Sequence, residues 1–203
     1  MAGALAQDTR VPRAADDRRR RRRGRSFLAA GVHRGAAHTK EHWQQFGRFL
    51  ARLHSTTQDH FGLDSNNYIR SLPQVNTPER DWPTFFLRHR LEPLVKAARD
   101  AHAMDGGTTL RSEQTYIRLG DLFPPWRPTL LHGDLRSGNF LCNADDRPVL
   151  FDPAVYFGQR ERDIAMTKLF DGFDAAFYAA YNDERRLGKV GKNVWTCATC
   201  IRC

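Results

Sequence analysis

Apolar residues at Trp43, Phe46, Leu50 and Leu53 recur at i, i+3, i+7 and i+10 and draw one face of a helix. Thr39 stands where an N-cap belongs, so the pattern predicts a helix from 39 to about 57. Residues 61–78 are rich in Asn, Ser and Pro and read as loop. Asp81 then opens a second, long helix to about 100, with Pro83 in the first turn, where a missing N–H costs little. On it Phe85, Phe86, His89 and Val95 are expected to face inward and Arg88 and Arg90 outward. Trp82 and the Phe85–Phe86 pair read as core rather than as a sugar platform. Asp105-Gly106-Gly107 breaks the chain. A third helix is expected over 112–122 with Tyr116 and Leu119 inward, and two more over 161–170 and, after Gly172, 173–181. Phe140-Leu141 and Val149-Leu150-Phe151 read as a small hairpin joined by the polar turn at 143–148. No internal repeat is evident.

The hairpin matters because of what flanks it. Residues 130–141 read Leu-Leu-His-Gly-Asp-Leu-Arg-Ser-Gly-Asn-Phe-Leu, and 148–153 read Pro-Val-Leu-Phe-Asp-Pro. Asp134, then Asn139, then Asp152 after a strand is the order used by kinase-type catalytic loops. Phosphoryl transfer asks a protein mainly for positioning and charge neutralisation. A carboxylate must meet the attacking hydroxyl, which Asp134 on a rigid loop could do. Magnesium prefers oxygen ligands and keeps several waters, so the Asn139 amide oxygen and the Asp152 carboxylate suffice to hold it. Folding the hairpin would return Asp152 to the side of Asn139. The alternative is a surface loop with capping Asp and Asn.

The string from His132 to Asn139, with Phe151-Asp152-Pro153-Ala154-Val155-Tyr156, resembles the fructosamine kinase (ketosamine-3-kinase) family of the protein-kinase-like superfamily. The likeness continues through Phe46-Gly47-Arg48-x-Leu50-Ala51-x-Leu53-His54, Gly62-Leu63-Asp64-x-Asn66-Asn67-Tyr68-Ile69 and Pro73-Gln74-x-Asn76. It extends to Asp81-Trp82-Pro83-Thr84-Phe85-Phe86 and to Arg160-Glu161-x-Asp163-Ile164-Ala165-Met166, and covers about residues 39–182. The resemblance implies an ATP- and magnesium-dependent kinase acting on ketosamines, as small molecules or as sugar adducts on protein lysines, at the sugar's third carbon. It implies Asp134 as the base, His132, Asn139 and Asp152 in the nucleotide–metal site, and Asp163 as a brace of the catalytic-loop backbone. Read from the residues alone, Asp163 early in a helix complements the helix dipole.

Two departures are local: Arg136 stands where the family often has Trp, and Gln159 where it often has His. Arg136 puts a cation on a flexible stem where a flat ring is expected, which should loosen sugar or loop packing. A larger departure concerns the nucleotide-gripping lobe. Residues 1–38 hold no Gly-rich hairpin and no lysine. The expectation is an α+β, mainly α, kinase-like C-terminal lobe with a small β-hairpin at the catalytic loop, the N-terminal lobe missing. The chain then divides into an Arg-rich tail at 1–38, the lobe at 39–182 and an unrelated tail at 183–203. A fragment with impaired turnover follows from that division. The alternatives are an inactive, pseudokinase-like or basic-tailed interaction fragment, and a kinase for aminoglycosides or choline.

Charge fits the division. Of the net +9, residues 1–38 carry ten Arg and three Asp, and the rest of the chain is nearly neutral. The run from Arg18 to Arg25, broken only by Gly24, is the single candidate for nucleic-acid contact. No aromatics interleave with it, and like charges in a block favour a solvated tail. No stretch is long and apolar enough for a membrane span or a secretory signal. A cytoplasmic location is expected, with plastid or nucleus as the alternative through the Arg-rich segment. Cys142 reads as a small buried residue. Cys197, Cys200 and Cys203 read as an accidental tail motif rather than a metal or cluster site. Asp64, Asn66 and Asn67 read as turn formers before substrate contacts. Arg160 is expected either to pair with a loop carboxylate or to lie exposed, and His132 to brace the catalytic loop through its ring nitrogens. The oligomeric state is not legible.

Overall fold

The computed structural model describes residues 38–123, 125–143 and 147–187. The Arg run, the rest of 1–37 and the Cys197/Cys200/Cys203 triplet lie outside the described residues. The first helix, α1, spans Lys40–Leu53, and the Thr39 hydroxyl accepts from the His42 N–H at 3.0 Å. It stops short of the expected 57 because the next residues are taken into strand pairing: Thr57 bridges Thr129 and the Thr56 carbonyl accepts from the Leu130 N–H. At the other end of the chain α7, Ala175–Glu184, starts later and runs further than 173–181, because Asp174 is its N-cap. The two helices pack closely at Gly47, where a Cβ would lie 2.3 Å from the Phe177 carbonyl oxygen. Trp43, Phe46, Leu50, Phe140, Phe177 and Tyr181 form the core beneath them.

A second core gathers Phe61, Trp82, Phe85, Phe86, Leu131 and Tyr156. The long helix expected over 81–100 is α2 (Trp82–Phe86), one π-helical turn at Leu87–Leu91, and α3 (Glu92–Asp100). Pro93 has no N–H to give the His89 carbonyl, and the widened turn absorbs the mismatch. That carbonyl accepts instead from the Arg90 guanidinium at 2.8 Å. Arg90, expected outward, is buried: it donates to the Val75 carbonyl and the Asn76 side chain and lies against the Phe85 and Tyr156 rings. Position 90 is four residues from Phe86, so it shares that buried face.

The helix expected over 112–122 begins earlier, at the very glycines read as a break. Asp105 caps α4, Gly106–Ile117, and a short α5, Leu119–Leu122, follows. The segment expected to be all loop contains a hairpin, β1 (Asn67–Ile69) with β2 (Leu72–Gln74), too short to show an alternating pattern. Two antiparallel pairs then nest. In the outer pair β3 (Thr129–Leu131) meets β6 (Tyr156–Gly158); in the inner pair β4 (Phe140–Cys142) meets β5 (Pro148–Leu150), with Phe140 opposite Leu150. The inner pair is the expected hairpin. α6, Glu161–Leu169, follows β6. No described helix is long and apolar enough to cross a membrane.

Candidate active site

The nested strands fix two loops at both ends. The segment 132–139 leaves β3 and enters β4, and the segment 151–155 leaves β5 and enters β6. The Ala154 N–H donates to the His132 carbonyl at 2.9 Å, and the Phe151 N–H donates to the Asn139 carbonyl at 3.1 Å. Leu131 anchors one end of the first loop in the second core, and Leu135 anchors its middle in the core under α1. At Gly133 φ is +84°, and a Cβ would sit 2.0 Å from the Ala154 carbonyl oxygen, so only glycine lets the loops approach this closely.

Asp134 and Asn139 are brought together. Asp134 is 4 % exposed and Asn139 1 %. The Asn139 Nδ2 group donates to the Asp134 carbonyl at 2.8 Å and to its Oδ2 at 2.9 Å. With both amide hydrogens used inside the loop, the Asn139 Oδ1 is the atom left to meet a ligand. Arg136 Nε lies 3.4 Å from the same Asp134 Oδ2, so the departure from the family pattern sets a cation beside the carboxylate. Asp152 is exposed, one residue beyond the bond from Phe151 to Asn139, with φ of +53°, a conformation that Asp tolerates better than most side chains. His132 turns its Nε2 to the Phe151 carbonyl at 3.1 Å, joining the two loops, while its Nδ1 faces the Asp134 N–H at 3.3 Å.

Each loop has its own buried support. Beneath the first, Asp163 of α6 is fully buried and accepts the backbone N–H groups of His132 at 2.7 Å and Gly133 at 2.9 Å. His54, the C-cap of α1, brings Nε2 to Asp163 at 3.2 Å and Nδ1 to the Tyr181 hydroxyl at 2.8 Å. Burial alone would raise the Asp163 pKa; the hydrogen bond and charge of His54, then His132 and its backbone N–H, outweigh it and hold the carboxyl below the usual range. Burial pushes the Tyr181 hydroxyl the other way, upward, so it stays protonated. Beneath the second loop, Asn67 Nδ2 donates to the Val155 carbonyl at 2.7 Å and Gln74 Nε2 to the Ala154 carbonyl at 3.2 Å. Asn76 joins them through the Asn67 Oδ1, and Arg90 holds Asn76.

These supports include residues that sequence reasoning missed. His54 and Gln74 carried a signal only as members of resembling strings, and Tyr181 carried none. Asn67 does hold the fold, but at the Asp152 loop rather than in its own turn. Arg160 takes neither of its expected places: it is 5 % exposed, donates to the Arg185 and Arg186 carbonyls, and meets the neighbouring Glu161 at 3.3 Å.

The oxygen-bearing side chains on these two loops are the carboxylates of Asp134 and Asp152 and the amide of Asn139. Such a set suits a hard divalent ion such as magnesium.

Comparisons with known proteins give the family. The fructosamine kinase family matches residues 4–189. The chain belongs to the fructosamine kinase family. It is 39 % identical over 138 residues to the probable ketoamine kinase of Lactiplantibacillus plantarum, covering 66 % of this chain and 49 % of that protein. It is 38 % identical over 141 residues to the chloroplastic protein-ribulosamine 3-kinase of Arabidopsis thaliana, covering 68 % of this chain and 43 % of that one. A crystal structure assigned as a fructosamine-3-kinase from Thermobifida fusca superposes with a TM-score of 0.72 at 34 % identity, over 79 % of this chain and 55 % of that chain. The chain thus spans about half the length of the curated relatives it matches.

Proposed function

We propose that this chain carries the acceptor-binding and magnesium-binding part of an ATP-dependent ketosamine 3-kinase, with ketosamines or glycated protein lysines as substrates. The observation that carries this reading is the Asp134–Asn139 pair, buried and hydrogen-bonded in a loop whose two leading N–H groups are held by Asp163. In the reaction Asp134 accepts the proton of the sugar hydroxyl and orients its oxygen. Asn139 and Asp152 would hold the magnesium of the nucleotide, which when bound would supply neutralisation of phosphate charge. His132 keeps the two loops in register, and Asp163 keeps the Asp134 backbone from drifting. Positioning of this kind is the larger part of catalysis in phosphoryl transfer.

Residues 39–182 form this unit in our reading. Every lysine among the described residues, Lys40, Lys96 and Lys168, lies on a helix. None sits on a strand, where a phosphate-clamping lysine belongs in kinases. We infer that the 203-residue chain on its own turns over slowly.

Transfer of labelled phosphate from ATP to fructoselysine or ribuloselysine, with the product position read by phosphorus NMR, tests this. Slow, magnesium-dependent labelling of the 3-hydroxyl should fall by about 10²–10⁴-fold in Asp134→Ala. Equal labelling by the parent chain and that variant would overturn the assignment.

A further inference from the structure

Away from the candidate active site, three metal-ligating side chains converge where α1 begins. His38 precedes the Thr39 cap, and His42 follows one turn later. Their spacing of four residues sets both imidazoles on one side of the helix start. Cys142, the last residue of β4, meets them there. Its Sγ lies 3.0 Å from His38 Nδ1, and 3.1 and 3.2 Å from His42 Nδ1 and Nε2. One ligand atom from each of the three residues lies within 4.8 Å of the others. The two imidazoles stack at 4.6 Å between ring centres. Cys142 and His42 are buried, whereas His38 is half-buried, so the group has a dry floor and one side toward solvent.

Zinc bonded to sulfur at ~2.3 Å and to imidazole nitrogen at ~2.0–2.1 Å with tetrahedral angles requires an N···S separation of about 3.5 Å. The observed N···S separations of 3.0–3.2 Å are shorter than that by about 0.3–0.5 Å, so taking up an ion requires the imidazoles to turn and draw back from the sulfur. A thiol donates and accepts only weakly, so hydrogen bonding alone gains little from gathering two imidazoles on one sulfur. A thiolate with two imidazoles suits a borderline-soft ion and rejects magnesium and calcium. The position gives the ion a purpose. Cys142 lies three residues past Asn139 on the catalytic hairpin, and the histidines open the helix that ends at His54, under the catalytic loop.

We propose that His38, His42 and Cys142 form a zinc site, closed by water on its open side, that fastens the start of α1 to the catalytic hairpin. The site is independent of the kinase reading.

The test uses the 203-residue chain with C197S, C200S and C203S, which removes the other cysteine-rich chelator. After metal stripping, zinc is titrated against a chromophoric chelator, and cobalt(II) is added separately to report thiolate coordination. One zinc per chain is expected, with a thiolate-to-cobalt charge-transfer band and a rise in Tm of about 5–10 °C at a hundredfold excess over Kd. C142S should abolish the band, and H38Q should weaken zinc at least tenfold. His38 is the half-buried ligand at the helix start, so H38Q keeps the test decisive even if C142S fails to fold. Absence of stoichiometric zinc, or H38Q binding with the parent affinity, would overturn the proposal.

Discussion

Asp163→Asn isolates what the buried carboxylate does for the catalytic loop, because the shape is kept and the charge is removed. In the parent chain Oδ2 takes the His132 N–H and His54, and Oδ1 takes the Gly133 N–H. An Asn oxygen can replace Oδ2, but its NH₂ group then faces the Gly133 N–H, donor against donor. One buried N–H left without an acceptor costs ~1–3 kcal/mol, and the two surviving bonds lose their charge assistance. The sum is roughly 3 kcal/mol, against a whole-domain stability of ~5–15 kcal/mol. Urea unfolding at pH 7, followed through tryptophan fluorescence with Trp43 and Trp82 both buried, measures it. The sign of the pH dependence is fixed as well. Asp163 in the folded chain titrates below its ordinary value of ~3.9, so its contribution is complete above about pH 4 and is lost as pH falls toward the folded value. The gap between parent and variant should stay constant from pH 7 to about 4 and close below. A gap under ~1 kcal/mol at pH 7, or one that closes already near pH 6, would refute the reasoning.

Gly47→Ala sets a methyl group 2.3 Å from the Phe177 carbonyl oxygen. It should force α1 and α7 apart and lower stability by about 1–3 kcal/mol, seen as a lower urea midpoint. Arg136→Ala removes a partly exposed ion partner of Asp134, so thermal melting should move by less than the ~1 kcal/mol equivalent of an exposed pair while the KM for the sugar acceptor changes. Equal KM values would separate Arg136 from the acceptor. Asp152→Asn retains a side chain that tolerates the positive φ, so Tm should hold while the magnesium concentration for half-maximal labelling rises at least tenfold.

Local signals in the sequence were sufficient where the cause is local. Thr39 and Asp81 cap the helices they were expected to cap, and the 140–150 hairpin forms where two short apolar runs and the polar turn between them announced it. The signals failed where distant contacts decide. The π-turn follows from Pro93 within an otherwise continuous helical pattern, and a periodicity count does not register it. Arg90 reads as exposed by its charge, yet two aromatic faces and the Asn76 side chain supply what water would. The β1–β2 hairpin has three residues per strand, below the length at which alternation is visible. In the candidate site the loop residues were legible because their order along the chain is local. His54 and Tyr181 were not, since 127 residues separate the two partners of that hydrogen bond.

Among the described residues, buried polar side chains support both loops: His54 and Asp163 beneath one, Gln74, Asn76 and Arg90 beneath the other. An apolar residue in place of Asp163 would leave two backbone N–H groups unpaired, so the loop would have to swing outward to find water. In place of Asn67 it would do the same to the Val155 carbonyl. Such supports add little net stability, since each charge or amide must first be desolvated. What they supply is a single arrangement of backbone. The hydrogen bonds described between the loop bearing Asp134 and the loop bearing Asp152 run through the His132 carbonyl, its ring, and the Asn139 carbonyl. A rigid floor on each side is what lets so few hydrogen bonds fix the backbone of one loop against the other.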